Sequence, residues 1–297
     1  MSVVINTNVD SIRVQNHLTN STNKLAESMQ RMSGGSKINS AKDDAAGCVI
    51  SARMVVQLDG NKICQNNIQN ANSLLSTTEG NIDVILDNVT RIRDLTLQAK
   101  NGTYSDDEIS AMQAEVKERL AEVDRVNASA KFSDLNLFTG TLATNGATFQ
   151  VGQNADGAGE KNNVIEVSNS VFDNVTLSAL TGSAGAANPG AFNLSDIKAG
   201  TCTAYTDFND ALTKLDGAID ALTERKSLIG SAQNRLESAL DTLTTQYTNL
   251  SSANSIIADA DIASEASKFT QNQILQQVST SLLAQANQAP GIALSLI

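Results

Sequence analysis

Apolar residues recur in alternating steps of three and four along the second half of the chain. Eleven of fourteen successive positions in this series are apolar. A heptad pattern sustained this long predicts one continuous helix whose apolar edge packs against another helix. A helix over residues 204–258 would be on the order of 80 Å long, which predicts a rod rather than a globule. The positions are Leu212, Leu215, Ile219, Leu222, Lys226, Ile229, Gln233, Leu236, Leu240, Leu243, Tyr247, Leu250, Asn254 and Ile257.

The first half of the chain carries a matching series. Asn101-Gly102 is a turn dipeptide that ends it, and Ser105 followed by Glu108 is a capping box that opens another helix. We expect these helices to pack against the helix over residues 204–258. The strong positions are Leu75, Thr78, Ile82, Ile85, Val89, Ile92, Thr96 and Ala99, preceded more weakly by Ala45, Val49, Ala52, Val56 and Ile63.

The middle of the chain, from about residue 131 to residue 200, has no heptads and is rich in Gly, Asn, Ser and Thr. The segments "ATFQVG" and "NNVIEVS" alternate in hydrophobicity around a turn-rich stretch, which predicts a β-hairpin near residues 147–168. The predicted fold is therefore mainly α, a long helical coiled-coil rod with a small β-hairpin region. We assign the rod to residues 47–170 and 205–258, and a variable surface loop region to 171–204.

Both ends of the chain carry apolar series within Asn-, Gln- and Ser-rich sequence. Such helices alone bury too little surface to offset the entropy of ordering. We expect residues 1–33 and 259–297 to form a discontinuous inner domain that is disordered in the monomer and helical against copies or a partner. The alternative is two ordinary terminal helices docked on the same core. The candidate assembly residues are Ile5, Val9, Ile12, Leu18, Leu25, Ile262, Phe269, Leu275, Val278, Leu282 and Leu296.

A polar segment, "SGGSKINSAKDDAAGC", separates two helical stretches near the start of the chain. Its first two glycines, Gly34 and Gly35, let the chain leave the first helix. Asn39, Ser40 and Asp43 are predicted to satisfy backbone donors at the start of the next helix, near Ala45, where the Asp43-Asp44 pair also suits the helix dipole. We predict a hinge-like linker over residues 34–46. Its candidate residues are Gly34, Gly35, Asn39, Asp43 and Asp44.

Charge and composition exclude several classes of function. The net charge of −11 argues against nucleic acid as a main partner, because phosphate binding needs clustered Lys and Arg. No segment is apolar enough for membrane insertion, and the N-terminus lacks the features of a signal peptide. Taken alone, these features predict a cytoplasmic protein.

Candidate chemistry is sparse. The chain has a single His, His17, and no nucleotide-binding or zinc motif. Cys48 and Cys64 would lie roughly 24 Å apart on one helix, too far for a disulfide. We therefore expect both cysteines to be small core or groove residues. Cys202 is expected in the loop region. We predict a protein that is not an enzyme and has no catalytic, cofactor or metal site.

Five groups of motifs, in order along the chain, resemble bacterial flagellin. They are "INTNVDSIRVQNHL", "INSAKDDAAG", "RIRDLTLQAKNGTYSDDE" with "QAEVKERLAEVDRV", "SSANSIIADADIASEASKF" and "QANQAPGIALSLI". The resemblance covers roughly residues 1–150 and 205–297 and implies a short form without large outer domains. It implies terminal helices that pair as an inner tube, and a linker that joins the tube to the outer rod. One departure is Pro290-Gly291, where Pro predicts an interrupted final helix.

The resemblance implies a structural subunit of the bacterial flagellar filament that confers motility. The implied partners are copies of the chain, the flagellar type III export apparatus, an export chaperone at the C-terminal segment, and filament cap and hook-junction proteins. The implied location is extracellular, without a cleaved signal peptide. A patch of Arg91, Leu95, Gln98 and Glu115 resembles the region recognised by vertebrate Toll-like receptor 5, with inter-subunit contact as the alternative role. Alternative functions are a hook–filament junction protein and, from the heptads alone, a coiled-coil scaffold.

Overall fold

The chain folds almost entirely into helices, in a computed structural model that describes residues 7–154, 162–173 and 205–294. The mainly α fold with small antiparallel strand pairs is as predicted. Ile5, Leu296, Cys202 and most of the predicted loop region lie outside the described residues. The helices are α1 (Val9–Gly34), α2 (Ala45–Ala99), α3 (Asp106–Ser129), α4 (Thr141–Asn145), α5 (Asn169–Phe172), α6 (Tyr205–Ala258) and α7 (Ile262–Leu294); the strands are β1 (Lys131–Phe132), β2 (Leu135–Asn136), β3 (Ala147–Gln150) and β4 (Val164–Val167).

The structure divides into two compact units. One comprises Met1–Asp59 with Gln246–Ile297, and the other comprises Gly60–Thr245. In the first unit, α1 packs along α7. The second unit holds a continuous hydrophobic core built on α2 and α6 and completed by α3 and the hairpins.

The strong apolar series of α2 is confirmed as the centre of this core. Its positions from Leu75 to Thr96 are all buried, and Ile82, Ile85, Val89 and Ile92 are fully so. The helix begins at Ala45 as predicted, but the weak positions do not extend its buried row, because Val49, Val56 and Ile63 are 54%, 71% and 60% exposed. The buried face at that end of the second unit instead carries Asn61, Cys64 and Ile68.

The apolar face of α6 is shifted by one residue from the predicted seam. Leu215, Leu222, Ile229, Leu236 and Leu243 are buried as predicted. The alternating positions are not Ile219, Lys226 and Gln233, which are only partly buried. The buried alternating positions are instead the residues one place earlier in the sequence. Most of these are Ala, whose small side chain lets neighbouring helices approach closely. Ile219 and Leu240 pack at the margin of the core. The buried members of this second row are Ala211, Ala218, Arg225 and Ala232.

Arg225 is the one charged residue in that row. It is 9% exposed, and its Nη1 donates a hydrogen bond to the backbone carbonyl of Asp173 at 2.9 Å. Burial lowers the pKa of Arg225, and the charge of Asp173 partly opposes this effect. The long Arg side chain thus fills a core position while its head secures the segment after α5.

Polar contacts also tie α2 to α6 outside the core. Arg93 forms an ion pair with Asp216, and the Nζ of Lys226 lies 2.5 Å from Asp83 Oδ1. Their side chains are about one-third to one-half exposed. Each such pair therefore adds only ~0.2–1 kcal/mol, and core burial carries most of the stability.

The predicted β-hairpin is present as β3 and β4, which pair antiparallel with Ala147 opposite Val167 and Gln150 opposite Val164. Ala147 and Val167 are buried, so this hairpin closes one side of the core. Gly146 precedes β3 at φ 74°, a conformation that favours Gly. The shorter pair of β1 with β2 was not predicted, because two-residue strands carry no readable alternation.

The predicted capping box is present at the start of α3. Glu108 Oε2 accepts hydrogen bonds from the Ser105 backbone N–H at 2.8 Å and from its Oγ at 2.9 Å. These bonds, chiefly the one from the backbone, lower the pKa of Glu108. The cap fixes where α3 starts after the turn at Asn101-Gly102.

The two described cysteines are both free thiols, as predicted. Cys64 is buried in the core, and burial raises the pKa of its thiol. Cys48 is half-buried in the first turn of α2. Across the described ranges, no helix is both long and apolar enough to span a bilayer, and no three metal-ligating side chains converge.

Candidate assembly surfaces

The face that α1 and α7 present to each other mixes polar and apolar residues, and its buried positions are polar. On each helix the less exposed positions step by three and four, as in a coiled coil. Only Ser21, Ser28, Glu265 and Ser279 among them are fully buried. The α1 row is Ser11, Val14, Leu18, Ser21, Leu25, Ser28 and Met32, and the α7 row is Glu265, Phe269, Asn272, Gln276, Ser279, Leu283 and Ala286.

Hydrogen bonds set the register of the two helices. Ser11 Oγ lies 2.8 Å from Asn287 Oδ1, and the Nε2 of Gln276 donates to Thr22 Oγ1 at 3.2 Å. The Nδ2 of Asn8 donates to the Ala286 carbonyl at 2.7 Å. The contacts lie along both helices and define one antiparallel alignment.

The predicted interruption at Pro290 is wrong, because α7 continues to Leu294. Proline has no N–H, so the carbonyl four residues earlier, that of Ala286, loses its usual helical donor. Asn8 supplies a replacement donor to that carbonyl. The same side chain caps α1, since its Oδ1 accepts from the Ser11 N–H at 3.1 Å.

A buried carboxylate holds the other end of the pair. Glu265 is 5% exposed, and its Oε1 lies 2.8 Å from Lys268 Nζ and 3.6 Å from Arg31 Nη1. The Lys268 hydrogen bond is the main cause of a lowered Glu265 pKa, with smaller contributions from Arg31 and Ser28. Glu265 is thus charged at neutral pH and links α7 to α1.

Most of the predicted terminal seam residues lie on outward faces instead of in the α1–α7 contact. Leu18, Leu25 and Phe269 are half-buried in the contact, as expected for a seam. The others point away from it, because they fall outside the two contact rows listed above. The outward residues, each 44–55% exposed, are Val9, Ile12, Met29, Ile262, Ile274, Leu275, Val278 and Leu282.

The linker after α1 pairs with the link between α6 and α7. Gly35 ends α1 in the left-handed conformation at φ 66°, as its sequence suggests. The Lys37 N–H donates to the Ala258 carbonyl at 2.6 Å, and the Ala260 N–H donates to the Gly35 carbonyl at 2.9 Å. Ser36 and Asp259 form an antiparallel bridge. This pairing was not predicted, because it joins residues more than two hundred positions apart in the sequence.

The cap of α2 is Asp44 and not the predicted Asn39, Ser40 or Asp43. Asp44 Oδ1 accepts from the Gly47 N–H at 2.9 Å. Asp43 instead accepts from the backbone N–H groups of Ser40 and Asn39, and these bonds lower its pKa. Asp43 therefore stabilises the linker turn, since it lies one residue too early to reach the helix donors.

The patch on α2 and α3 is partly assembled. Arg91 Nε lies 3.2 Å from Glu115 Oε1, which also binds Arg119 at 2.9 Å. Arg119 and then Arg91 lower the pKa of Glu115. Gln98 is exposed and donates to Tyr104 Oη at 2.8 Å. Leu95 is 3% exposed, so its assignment to this surface is wrong: it belongs to the buried row of α2.

The terminal and flanking helices also match known sequences. The family of the bacterial flagellin N-terminal helical region matches residues 5–143, and that of the C-terminal helical region matches residues 212–297. The chain belongs to the bacterial flagellin family. The match spans α1, most of the rod-forming helices and all of α7, which are the elements described above.

Relatives of this flagellin extend over its whole length. It is 36% identical to a flagellin of Xenorhabdus nematophila across 100% of both chains. It is 33% identical to a flagellar filament 30.7 kDa core protein of Treponema maltophilum, over 96% of each chain. It also shares its fold with a candidate flagellar hook-associated protein of Vibrio parahaemolyticus, at 18% identity and TM-score 0.56, over 72% of this chain and 99% of that one.

Proposed function

We propose that this flagellin is the structural subunit of a flagellar filament, and that the outward faces of α1 and α7 are its main assembly surface. The observation that carries this proposal is the set of half-exposed apolar side chains on both terminal helices, which α1 and α7 leave uncovered by each other. A second copy of the chain presents the same faces and can cover them. The names of full-length relatives, a flagellar filament core protein and a flagellin, support this assignment.

Ordering of the terminal helices is coupled to filament assembly, because the contact between α1 and α7 is partly polar. Fixing the backbone costs ~1–2 kcal/mol per residue. The buried residues of this contact are Ser and Glu, and its apolar residues are only partly buried, so the contact contributes limited apolar burial to offset this cost. Neighbouring copies add that burial, so the terminal helices become stable chiefly inside the polymer. The disorder of residues 1–33 and 259–297 in the monomer stays a prediction.

Seeded polymerisation tests the proposal. Purified chain mixed with filament fragments is expected to form thin helical fibres in negative-stain micrographs. Chains lacking residues 1–30 or 270–297 are expected to lose polymerisation while circular dichroism shows that the remaining helices still fold. Polymerisation that survives either deletion would contradict the role of the terminal helices.

The exposed apolar face of α7 is also a reason for the chain to need the export partners implied by the sequence resemblance. Before assembly, α7 needs cover in the cytoplasm, and an export chaperone that binds the C-terminal segment supplies it. The chain then passes through the flagellar type III apparatus and is added between the hook-junction proteins and the filament cap, outside the cell. Co-purification from the source cells tests this step: the chaperone is expected with the full chain and absent with a chain lacking residues 262–297.

The exposed cluster of Arg91, Gln98 and Glu115 fits recognition by Toll-like receptor 5, because three charged or polar groups of two helices share one face. Depolymerised protein is expected to activate receptor-expressing reporter cells, and Arg91→Ala is expected to reduce the response. Arg125→Ala, which removes another exposed Arg–Glu pair on α3, is the matched control. Equal responses from both variants would contradict recognition of this cluster by the receptor, and contact between subunits would then be its only proposed role.

A hook–filament junction protein is not favoured. The likeness to the hook-associated chain rests on fold at 18% identity, whereas the full-length relatives at 33% and 36% identity are a filament core protein and a flagellin. The hook-associated chain is thus similar to this flagellin in fold alone.

A further inference from the structure

The chain contains two Asn-Gly dipeptides, Asn101-Gly102 and Asn145-Gly146. An Asn followed by Gly is open to an intramolecular reaction, because the missing Cβ lets the Gly backbone nitrogen approach the Asn side-chain amide. The two sites share this chemistry but differ in how the fold holds them.

Asn101-Gly102 lies in the exposed turn between α2 and α3. Both residues are exposed, and the position of a Cβ on Gly102 would meet no atom within 4 Å. Within the part of the chain that the structure describes, neither the Gly102 N–H nor the Asn101 side chain has a hydrogen-bond partner. The only bond recorded at this dipeptide is from the Asn101 N–H to the Gln98 carbonyl, at 3.0 Å, so the reacting atoms can move.

Asn145-Gly146 is held by its surroundings. The Gly146 N–H donates to the Leu142 carbonyl at 2.9 Å, and Gly146 has φ 74°. A Cβ there would overlap the Val167 carbonyl oxygen, so backbone packs directly against this glycine. Attack by the Gly146 nitrogen requires this hydrogen bond to break and the end of α4 to move away from β4.

We infer that Asn101 is a site of spontaneous deamidation in the folded chain and that Asn145 is protected from it. The Gly102 nitrogen attacks Cγ of Asn101, forming an N–Cγ bond. The Cγ–Nδ2 bond breaks, and Nδ2 leaves as ammonia with the proton from Gly102. Water then cleaves one of the two C–N bonds of the succinimide ring, giving Asp if the Cγ bond breaks or isoaspartate if the main-chain bond breaks.

Each conversion adds one negative charge to the turn, whose neighbourhood already includes Asp106 and Asp107 in the first turn of α3. Isoaspartate also inserts a methylene into the backbone between α2 and α3. The number of modified subunits therefore increases with the age of the protein, and this inference does not depend on the filament assignment.

Peptide mapping of the folded full chain, aged in mildly alkaline buffer, tests the inference. Electron-transfer fragmentation separates Asn, Asp and isoaspartate at each site. Asn101 is expected to convert at least ~5-fold faster than Asn145. Reaction at Asn145 must first break one hydrogen bond, which raises its barrier by about 1 kcal/mol. A barrier difference of this size corresponds to a rate ratio of ~5. The same chain in urea is the reference, and there the two sites are expected to convert at similar rates.

Two variants complete the test. Gly102→Ala is expected to slow conversion at Asn101 alone, and it fits because the position is open. Asn101→Gln is expected to abolish it and to remove the corresponding acidic band in isoelectric focusing. Equal rates at Asn101 and Asn145 in the folded chain would overturn the inference, as would an Asn101 that converts in urea but not when folded.

Discussion

The outward stripe of α7 gives the sharpest test of assembly. Changing Leu275, Val278 and Leu282 to Ser removes three side chains that lie on one face of the helix and away from α1. Each is 44–47% exposed in the single chain. The α1–α7 contact does not use them, so we expect the variant to keep the helical content and thermal unfolding of the monomer.

The expected loss in assembly follows from the exposed fractions. Full burial of a Val or Leu side chain contributes ~1.5–3 kcal/mol. About half of each side chain remains to be covered, so neighbouring copies would gain about 1 kcal/mol per residue and ~3 kcal/mol for the three. Since 1.4 kcal/mol is tenfold in an equilibrium constant, the critical concentration should rise on the order of 100-fold.

Sedimentation after seeding measures the critical concentration. The matched control changes Gln273, Gln277 and Thr280 to Ser, three exposed polar positions on the opposite side of the same helix. The control is expected to polymerise like the unaltered chain. If both variants share one critical concentration, the α7 stripe is not an assembly surface and the reasoning from exposure is wrong.

Three further predictions concern stability. Ala218→Leu should destabilise the chain by ~1–3 kcal/mol through overpacking, whereas Ile219→Leu, one residue away at the margin of the core, should cost less than ~1.5 kcal/mol; denaturant unfolding would contradict the corrected seam if the order were reversed. Asn8→Asp keeps an acceptor for the α1 cap but removes the donor to the Ala286 carbonyl of α7. The hydrogen-exchange protection of the C-terminal turns of α7 should therefore fall by about 1 kcal/mol. Unchanged protection would refute the role of that hydrogen bond. The lowered pKa of Glu265 means that its contribution is present above the ordinary carboxyl pKa and lost as pH falls through the lowered value. Glu265→Gln should therefore flatten the acid side of a melting-temperature profile against pH, and an unchanged profile would exclude Glu265 as its cause.

The sequence predicted the centre of the core because its signal there is strong. Leu75 through Ile92 are large, regularly spaced and flanked by polar residues, so only one face of α2 can be buried. On α6 the signal was ambiguous. Ala218 and Ile219 are adjacent, and a hydrophobicity pattern favours the larger residue, whereas close helix packing favours the smaller one.

The terminal helices show a different limit of sequence interpretation. Apolar spacing identified residues such as Leu275 and Leu282 but not the direction in which they face. The buried residues of α7 that face α1 are Glu265 and Ser279, which resemble a solvent face in any pattern of hydrophobicity. Asn8 opposite the last helix and Ser36 beside Asp259 depend on contacts between distant parts of the chain, which local sequence does not encode.

The bridge between Ser36 and Asp259 makes the polypeptide between those residues a closed insertion. The chain leaves the α1–α7 pair at Ser36 and returns to it at Asp259, and these two points are hydrogen-bonded to each other. Residues 37–59 and 246–258 still belong to the same compact unit as the pair, whereas the second unit is Gly60–Thr245. For protein engineering, a foreign domain grafted onto this scaffold should therefore replace residues 60–245 and not the whole segment between the bridged residues.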